Sequence, residues 1–209
     1  IVDVSGVTSA WLGGAAVLLH MSGSTYNMYG GTISGGKAAN GGNFYLASGT
    51  KLYVKGGTIT GGEATTNGGN IFLRDADALL DISGGTITGG KANGEGGNIF
   101  VQTGAKLIVS GGEIYGGAKM ENSTPKYDSE FSNIASWQGN MELTGGTISG
   151  VYFNKLTTHP QTLTLGGNVV INTYTDATSG QTSIGLKVSG GCADIVSPLT
   201  GSIAVSSTG

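Results

Sequence analysis

The chain has 209 residues, a formal net charge of −3 and only 11% charged residues, yet 38% of its residues are hydrophobic. Its ten Lys and Arg residues are scattered, so no basic stripe for nucleic acid or for an anionic membrane surface is present. The 41 glycines follow no Gly-x-y period, which excludes collagen, and the periodic apolar residues exclude a disordered chain. The single Cys192 excludes an internal disulfide.

Residues 1–29 read as a degenerate first copy of a repeat that becomes regular at Gly30. Residues 13–18 align with residues 41–46, and residues 26–28 align with residues 52–54. No apolar run in the chain is long enough to cross a bilayer, so membrane insertion is not expected. Because the chain starts and stops inside repeat-like sequence, we expect a fragment of a larger protein, monomeric in isolation.

The repeat is marked by the isoleucine of a Gly-Gly-x-Ile phrase. This isoleucine recurs at steps of 26, 28, 27 and 34 residues, as Ile33, Ile59, Ile87, Ile114 and Ile148. Each copy holds three short apolar segments that end at paired glycines, and such pairs would break a helix. A period of this length is typical of solenoids, in which each coil buries its apolar face against its neighbours. The sequence therefore predicts an all-β, three-sided β-solenoid with roughly 26–28 residues per coil.

Alternation within the strands predicts which side chains point inward. In Leu52-Tyr53-Val54 and Leu80-Asp81-Ile82 the outer residues are apolar, and the same holds at 107–109, 141–143 and 163–165. An asparagine follows a glycine pair in successive coils, at Asn43, Asn70 and Asn98, with Asn133 as the fourth. Stacked asparagines can bond amide to amide along the axis, so we predict a structural ladder.

The regular coils, residues 30–117, are followed by an insertion. We predict an inserted loop over residues 118–138 and irregular final coils over 139–209, with strand candidates at 163–167, 169–171, 184–188 and 203–205. The whole chain, 1–209, is expected to form one domain.

The repeat phrases also carry a family resemblance. The Gly-Gly-Thr-Ile-[Ser/Thr]-Gly and Gly-Gly-Asn-Ile-[Phe/Tyr]-[Leu/Val] phrases, over residues 10–150, resemble right-handed parallel β-helix repeats of large secreted or wall-attached proteins of Gram-positive, often gut-dwelling, bacteria. A more distant likeness links them to the Gly-Gly-Ala-Ile repeats of chlamydial polymorphic outer-membrane proteins, with Asn in place of Ala. The resemblance implies a single-stranded right-handed β-helix, exported to the cell surface or secreted, and presented for adhesion or as a stalk.

The insertion is the first candidate for ligand binding, because long loops on a rigid scaffold commonly bind ligands. Its candidate residues are charged or aromatic: Glu121, Lys126, Tyr127, Asp128, Glu130, Phe131 and Trp137. The alternative is an ordinary loop that packs Phe131 or Trp137 over the solenoid.

Two repeated surfaces are further candidates. Tyr45, Phe72 and Phe100 form a ladder that either faces outward, as an exposed stripe for sugars or a partner, or turns inward as stacked core rings. Outward Thr-x-Thr pairs, such as Thr58 and Thr60, form a flat array that Glu113 and Tyr115 interrupt, so we expect an ordinary solvated face. The array comprises Thr32, Ser34, Thr58, Thr60, Thr86, Thr88, Thr147 and Ser149.

Catalytic and metal chemistry have weaker signals. The best acidic cluster is Arg74-Asp75-Ala76-Asp77 with Asp81, but no carboxylate stacks on it in the next coils, which favours a solvated loop. His20 and His159 are far apart and lack spaced ligand partners, so no metal and no cofactor is expected.

These observations favour a non-enzymatic extracellular β-helix that binds a host protein or glycan, or that serves as a rigid stalk. The alternative is a carbohydrate-active β-helix enzyme, a polysaccharide lyase or hydrolase, whose acidic residues meet only in three dimensions. Three carboxylates within about 6 Å of one another in a groove would favour the enzyme. A passive stalk would bind no ligand.

Overall fold

A computed structural model describes residues 16–154, 161–189 and 201–203, together with the backbone of three strands at 2–3, 8–9 and 194–199. The described residues are all β-strands, turns and loops, without a helix. The strands up to the first regular coil are β1 (Val2–Asp3), β2 (Thr8–Ser9), β3 (Val17–Leu19), β4 (Thr25–Met28), β5 (Thr32–Ser34) and β6 (Lys37–Ala38). The regular coils supply β7 (Phe44–Leu46), β8 (Lys51–Val54), β9 (Thr58–Thr60), β10 (Glu63–Ala64), β11 (Ile71–Leu73), β12 (Leu79–Ile82), β13 (Thr86–Thr88), β14 (Lys91–Ala92), β15 (Ile99–Val101) and β16 (Lys106–Tyr115).

The remaining strands belong to the insertion and to the final coils. They are β17 (Ala118–Glu121), β18 (Thr124–Lys126), β19 (Ile134–Trp137), β20 (Asn140–Ser149), β21 (Val151–Asn154), β22 (Leu163–Gly167), β23 (Val170–Asn172), β24 (Leu186–Ser189), β25 (Asp194–Leu199) and β26 (Ser202–Ile203). The strand candidates at 163–167, 169–171 and 184–188 therefore coincide with β22, β23 and β24 to within two residues. Ala204 and Val205, of the candidate at 203–205, lie outside the described residues.

The strands form three sheets of 13, six and seven strands, here called sheets A, B and C. A regular coil runs from β7 in sheet C through β8 and β9 in sheet A to β10 in sheet B, and then returns to sheet C at β11. Each strand pairs in parallel with its equivalent in the next coil. This all-β arrangement of stacked parallel strands is compatible with the predicted solenoid.

Sheet A contains two rows of stacked strands, one through β12 and one through β13. It curls because the long strands β16 and β20 each belong to both rows. The first half of β16 pairs with β12 and its second half pairs with β13, and β20 continues both rows with a register shift near Ser110. The bend lies at Gly111-Gly112, where Gly112 has φ +83°, a conformation that favours glycine. We call the row that contains β9 and β13 the threonine row, after its outward Thr pairs.

The register of the first coil differs in part from the sequence alignment. Tyr26 pairs with Leu52 and Met28 with Val54, as the alignment of 26–28 with 52–54 predicted. Val17, however, pairs with Phe44, so the alignment of residues 13–18 with 41–46 was wrong by one residue. No asparagine follows the glycine pair before the apolar run at 15–19. Without that asparagine to align with Asn43, the sequence does not show which residue of the run pairs with which residue of the next coil.

The core lies inside the coils and consists of aliphatic ladders. The predicted inward pairs are all buried, from Leu52 and Val54 through the residues at 80, 82, 107, 109, 141 and 143 to Leu163 and Leu165. One coil cannot bury these side chains alone, so the stack is stabilised by contact between neighbouring coils.

The predicted asparagine ladder is confirmed at the corner before sheet C. Asn43 Nδ2 donates to Asn70 Oδ1 at 2.8 Å, Asn70 Nδ2 donates to Asn98 Oδ1 at 2.7 Å, and Asn98 Nδ2 donates to Asn133 Oδ1 at 2.6 Å. Each of the first three side chains also accepts a backbone N–H, as Asn70 does from Gly62 at 2.8 Å. All four asparagines are buried, and the side-chain amide of each one has hydrogen-bond partners within the stack.

The insertion begins as a hairpin, where the sequence predicted only a loop. β17 pairs with β18 in antiparallel fashion at the edge of sheet B. Asn122 and Ser123 connect the two strands with φ +49° and +64°. A two-residue hairpin turn with positive φ at both positions matches the twist of the strands, and asparagine tolerates that conformation.

Candidate functional site

The Tyr45, Phe72 and Phe100 side chains stack along the outer face of sheet C. Their ring centroids are 5.3 Å and 5.6 Å apart, with Tyr45 only 2% exposed and the two phenylalanines 5% exposed. Their neighbours in each strand, such as Ile71 and Leu73, belong to the main core, whereas the rings form a separate cluster. The ladder therefore faces away from the main core and is still buried, which combines the two orientations left open by the sequence.

The ladder is buried because the turns between sheets B and C fold back over it. Gly68 lies so close to this face that a Cβ atom there would be 3.1 Å from Phe72 Cα, and one on Gly96 would be 2.9 Å from the Phe100 nitrogen. The small Ala135 follows Phe100 in register, and Tyr152 follows Ala135. The contiguous stack of three large rings therefore ends at Phe100, although the buried cluster continues to Tyr152.

A groove opens beside Phe100, at the end of this stack. It has a volume of about 370 Å³ and is lined by Asn67, Gly94, Glu95, Phe100, Gln102, Thr103, Trp137 and Gln138. Trp137 is 39% exposed, which makes it one of few large apolar side chains that the described residues present to solvent. We call this concavity the Glu95–Trp137 groove.

Glu95 is the charged group of the groove. Its Oε2 is buried beside the Trp137 indole and has no hydrogen-bond partner among the described residues. Burial raises the pKa of Glu95, and the charge of Glu130 raises it further, against the opposing effects of Trp137 and Lys119. The groove thus contains a carboxyl group, with a buried oxygen that lacks a hydrogen-bond partner among the described residues, beside an indole ring.

Comparison with known protein families, with curated proteins and with solved structures finds no match for this chain. Function is therefore inferred from the groove itself.

Glu95 was missed by the sequence reasoning, although the repeat contained a signal for it. Asn40 Oδ1 accepts the backbone N–H of Asn67 at 3.2 Å, and Asn67 Oδ1 accepts that of Glu95 at 2.8 Å. Glu95 therefore occupies the turn position that asparagine holds in the two preceding coils. A carboxylate that replaces the turn asparagine of Asn40 and Asn67 is a departure that an alignment of the turns would have shown.

One wall of the groove carries the side-chain amides of Gln102 and Gln138, and Gln138 lies in a turn with positive φ. Gln138 has φ +62°, and its Oε1 accepts the Thr103 hydroxyl at 3.0 Å. Non-glycine residues with positive φ are uncommon and cluster at functional sites. Gln102, on the same wall, comes from the turn after β15, so the groove combines three segments that are far apart in the sequence.

The structure separates the other predicted site residues. Phe131 packs edge-on to Tyr152 with centroids 4.6 Å apart, under the Lys119 ammonium, so it extends the buried cluster next to the ladder. Glu130 forms an ion pair with Lys187. Trp137 and Phe100 alone of the predicted site residues line the Glu95–Trp137 groove.

The remaining insertion residues lie elsewhere. Tyr127 contacts Tyr174, with ring centroids 5.9 Å apart. Glu121, at the hairpin turn, and Asp128 are exposed, and Lys126 is half-buried in β18.

The acidic cluster at residues 74–77 forms a local ion pair. Arg74 Nε lies 2.8 Å from Asp75 Oδ2, and Arg74 Nη1 donates to the Tyr45 hydroxyl at 3.2 Å. Among the described residues, no group of three or more His, Cys, Asp and Glu side chains could hold a metal ion. His159 and Cys192 lie outside the described residues. In the described part of the chain no helix is long and apolar enough to span a membrane.

Proposed function

We propose that this chain is a non-enzymatic binding module that holds a glycan in the Glu95–Trp137 groove. The observation that supports this proposal most directly is the composition of the groove. The partly exposed Trp137 indole lies beside side-chain amides, a hydroxyl and a carboxylate whose buried Oε2 has no hydrogen-bond partner among the described residues. Aromatic faces pack on the C–H face of a sugar ring, and amide and carboxylate groups bind its hydroxyls.

The lining also favours uncharged glycans. No Lys or Arg lines the groove, and its single charged residue is Glu95. An anionic sugar would meet a carboxylate with no cation in the lining, since the Lys119 charge acts on Glu95 from outside the groove, and this is unfavourable at short range. A neutral glycan avoids this repulsion.

We further propose that the chain forms a single-stranded, right-handed, three-sided β-helix, located on a bacterial cell surface or secreted, where it serves adhesion. The parallel pairing of every regular strand with its equivalent one coil later supports the single-stranded helix. Right-handed crossovers are the rule for parallel strands. The resemblance of the repeats to Gram-positive surface proteins supports the location.

An enzyme is the second candidate, because burial raises the pKa of Glu95 as a general acid requires. Glycoside hydrolysis generally needs a second carboxylate about 5–10 Å away. Glu95 is the only carboxylate that lines this groove among the described residues, and Glu130, whose charge acts on Glu95, is paired with Lys187 outside the lining. Binding therefore agrees better with the lining. Release of reducing ends from a bound polysaccharide would show the enzyme instead.

The test is a screen of the purified chain against arrayed neutral and acidic glycans and host extracellular proteins. We expect a neutral glycan to bind, and Trp137→Ala to weaken that binding about tenfold, in line with loss of one aromatic contact. Tyr29→Ala is the matched control, because Tyr29 is 71% exposed and does not line the groove. Unchanged binding in Trp137→Ala would refute the groove, and binding to a protein alone would refute the glycan.

A further inference from the structure

A second concavity lies on the threonine row, at the coil where the flat threonine array is interrupted. Glu113 and Tyr115 occupy the positions of Thr86 and Thr88 in the preceding coil. The segment after β23 folds back over this coil and places the Tyr174 ring 5.7 Å from the Tyr115 ring. The resulting space of about 280 Å³, here called the tyrosine groove, is lined by Glu113, Ile114, Tyr115, Thr147, Ser149, Asn172, Thr173 and Tyr174.

The wall that carries Tyr174 is held by its own hydrogen bonds. Thr175 and Thr182 form an antiparallel bridge, and the Asp176 carboxylate accepts the Ser179 N–H and hydroxyl, each at 2.8 Å. Tyr174 N–H donates to Ser183 Oγ at 2.9 Å. A wall fixed in this way keeps the concavity open without a ligand, which lowers the entropic cost of binding.

The insertion supports the same wall from the other side. Tyr127 N–H donates to Gln181 Oε1 at 2.9 Å, and the Tyr127 ring packs against Tyr174. Two departures from the repeat, at residues 118–138 and at 173–185, therefore meet beside a third, the pair Glu113 and Tyr115. Irregular segments that converge on one concavity indicate a site, because neither the core nor the ladders require them.

The floor of the tyrosine groove holds an unused polar group. Ser149 is 2% exposed, and its hydroxyl has no hydrogen-bond partner among the described residues. A buried hydroxyl without a partner is unfavourable, and a ligand hydroxyl in the groove would supply the missing bond.

We propose that the tyrosine groove is a second saccharide site, which takes one ring of a neutral sugar. Two tyrosine rings supply the apolar wall, while Ser149, Thr147, Asn172 and Glu113 supply polar groups for the ring hydroxyls. The groove is lined by no Lys or Arg, so a uronic or sialic acid would meet Glu113 without a compensating cation. The volume is too small for several residues of a peptide. This site is independent of the Glu95–Trp137 groove, and the two together make the chain bivalent.

The experiment uses the full chain with isotope-labelled tyrosine rings, titrated with neutral di- and trisaccharides of glucose, galactose, mannose and N-acetylglucosamine. Concentrations reach about 10 mM, which reveals a millimolar Kd. We expect at least one saccharide to shift the Tyr115 and Tyr174 signals, while oligouronates do not. Tyr115→Thr restores the residue of the neighbouring coil, so it should fold normally and weaken this binding about tenfold.

Ser149→Ala separates binding from stability. Its hydroxyl has no partner in the free chain, so removing it should not lower the thermal midpoint, yet it should weaken saccharide binding about fivefold. Tyr29→Ala again serves as the control for loss of an exposed tyrosine. The proposal is overturned if no saccharide shifts the two ring signals, if Tyr115→Thr and Ser149→Ala both bind normally, or if oligouronates bind in place of neutral sugars.

The experiment can refute either proposed site without refuting the other. Trp137→Ala should leave the Tyr115 and Tyr174 shifts unchanged, because Trp137 does not line the tyrosine groove. Loss of the tyrosine shifts in Trp137→Ala would therefore overturn an independent second site. Glycan binding that Trp137→Ala leaves unchanged would refute the first groove, and saccharide-induced shifts of Tyr115 and Tyr174 would leave the second intact.

Discussion

The coils before Gly117 and those after it share one inner structure but differ in what lies outside it. In the regular coils the ladder asparagines are separated by 27 and 28 residues, whereas the next step, from Asn98 to Asn133, takes 35. The extra residues form the hairpin of β17 and β18 and the segment that leads back to Asn133. The ladder bond itself is unchanged.

The two regions therefore differ in which positions repeat from coil to coil. In the regular coils, each strand residue pairs in register with its equivalent one coil away. In the later coils the inner positions stay buried, as at Ile148 and Ile171, while the outside varies. Both grooves lie where the variable segments meet the regular stack, so most residues that line the grooves lie outside the ladders that stabilise the stack.

The strongest test of the regular region is a methyl group at a coil corner. A Cβ atom on Gly69 would overlap the Gly97 carbonyl oxygen and the Lys91 nitrogen, which are backbone atoms that cannot move aside. We expect Gly69→Ala to lower the free energy of unfolding by about 5 kcal/mol, enough to unfold a marginal domain. Urea denaturation followed by circular dichroism measures this. Gly30→Ala should be nearly neutral, because no atom lies within 4 Å of its added Cβ.

The next largest effect is expected from the asparagine ladder. Asn70→Ala removes the bonds to Asn43, Asn98, the Gly62 N–H and the Thr88 carbonyl. Several buried groups would lose their partners, so we expect a loss of about 4 kcal/mol in the free energy of unfolding. The control is Asn93→Ala, an exposed asparagine of the same coil region. Equal midpoints for the two variants would contradict a structural ladder.

A third comparison separates the buried ladder from the groove beside it. Phe72 stacks between Tyr45 and Phe100, so Phe72→Ala should cost about 3 kcal/mol of stability through the cavity it leaves. Trp137→Ala should cost less than about 1 kcal/mol, because the side chain is partly exposed. Thermal denaturation of both variants decides this. A larger loss for Trp137 would make it a packing residue and weaken its assignment as a binding surface.

The smallest effect is a pH dependence that arises in the groove. Burial raises the pKa of Glu95 above its ordinary 4.5, so the folded chain holds this proton to higher pH than the unfolded chain. The associated stability is present below the unfolded pKa and is lost as pH rises through the folded pKa. Glu95→Gln should therefore gain stability relative to the parent as pH increases from 4.5, in denaturation series at several pH values. Glu121→Gln, at an exposed position, is the control for loss of charge; an equal gain there would refute the assignment to Glu95.

The strands and ladders of the fold were largely predictable from the sequence, because aligning the copies of a repeat shows which residues pair between neighbouring coils. The recurrence of Ile33, Ile59 and Ile87 with glycine pairs identified the coils, and alternation identified the inward residues. The register of residues 17–19 was missed, because that coil lacks the asparagine that marks the corner. The hairpin was missed because its turn, Asn122-Ser123, lacks the glycine that is common in two-residue hairpin turns.

The candidate sites were predictable only in part. The sequence singled out Trp137 and the aromatic ladder, but it could not place Glu95, Gln102 and Gln138 beside them, because turns of different coils meet only through the stacking of the coils. It likewise treated Glu113 and Tyr115 as an interruption of a flat face, and Tyr174, from a later coil, was not considered.

The sequence by itself determined the all-β class, the coil length, the aliphatic core and the asparagine ladder, since these follow from contacts between equivalent residues one repeat apart. Only the tertiary structure decided that the aromatic ladder is outward and yet covered, and that the irregular segments border two grooves. Those outcomes depend on how turns and insertions pack across coils, and that packing has no period in the sequence that could reveal it.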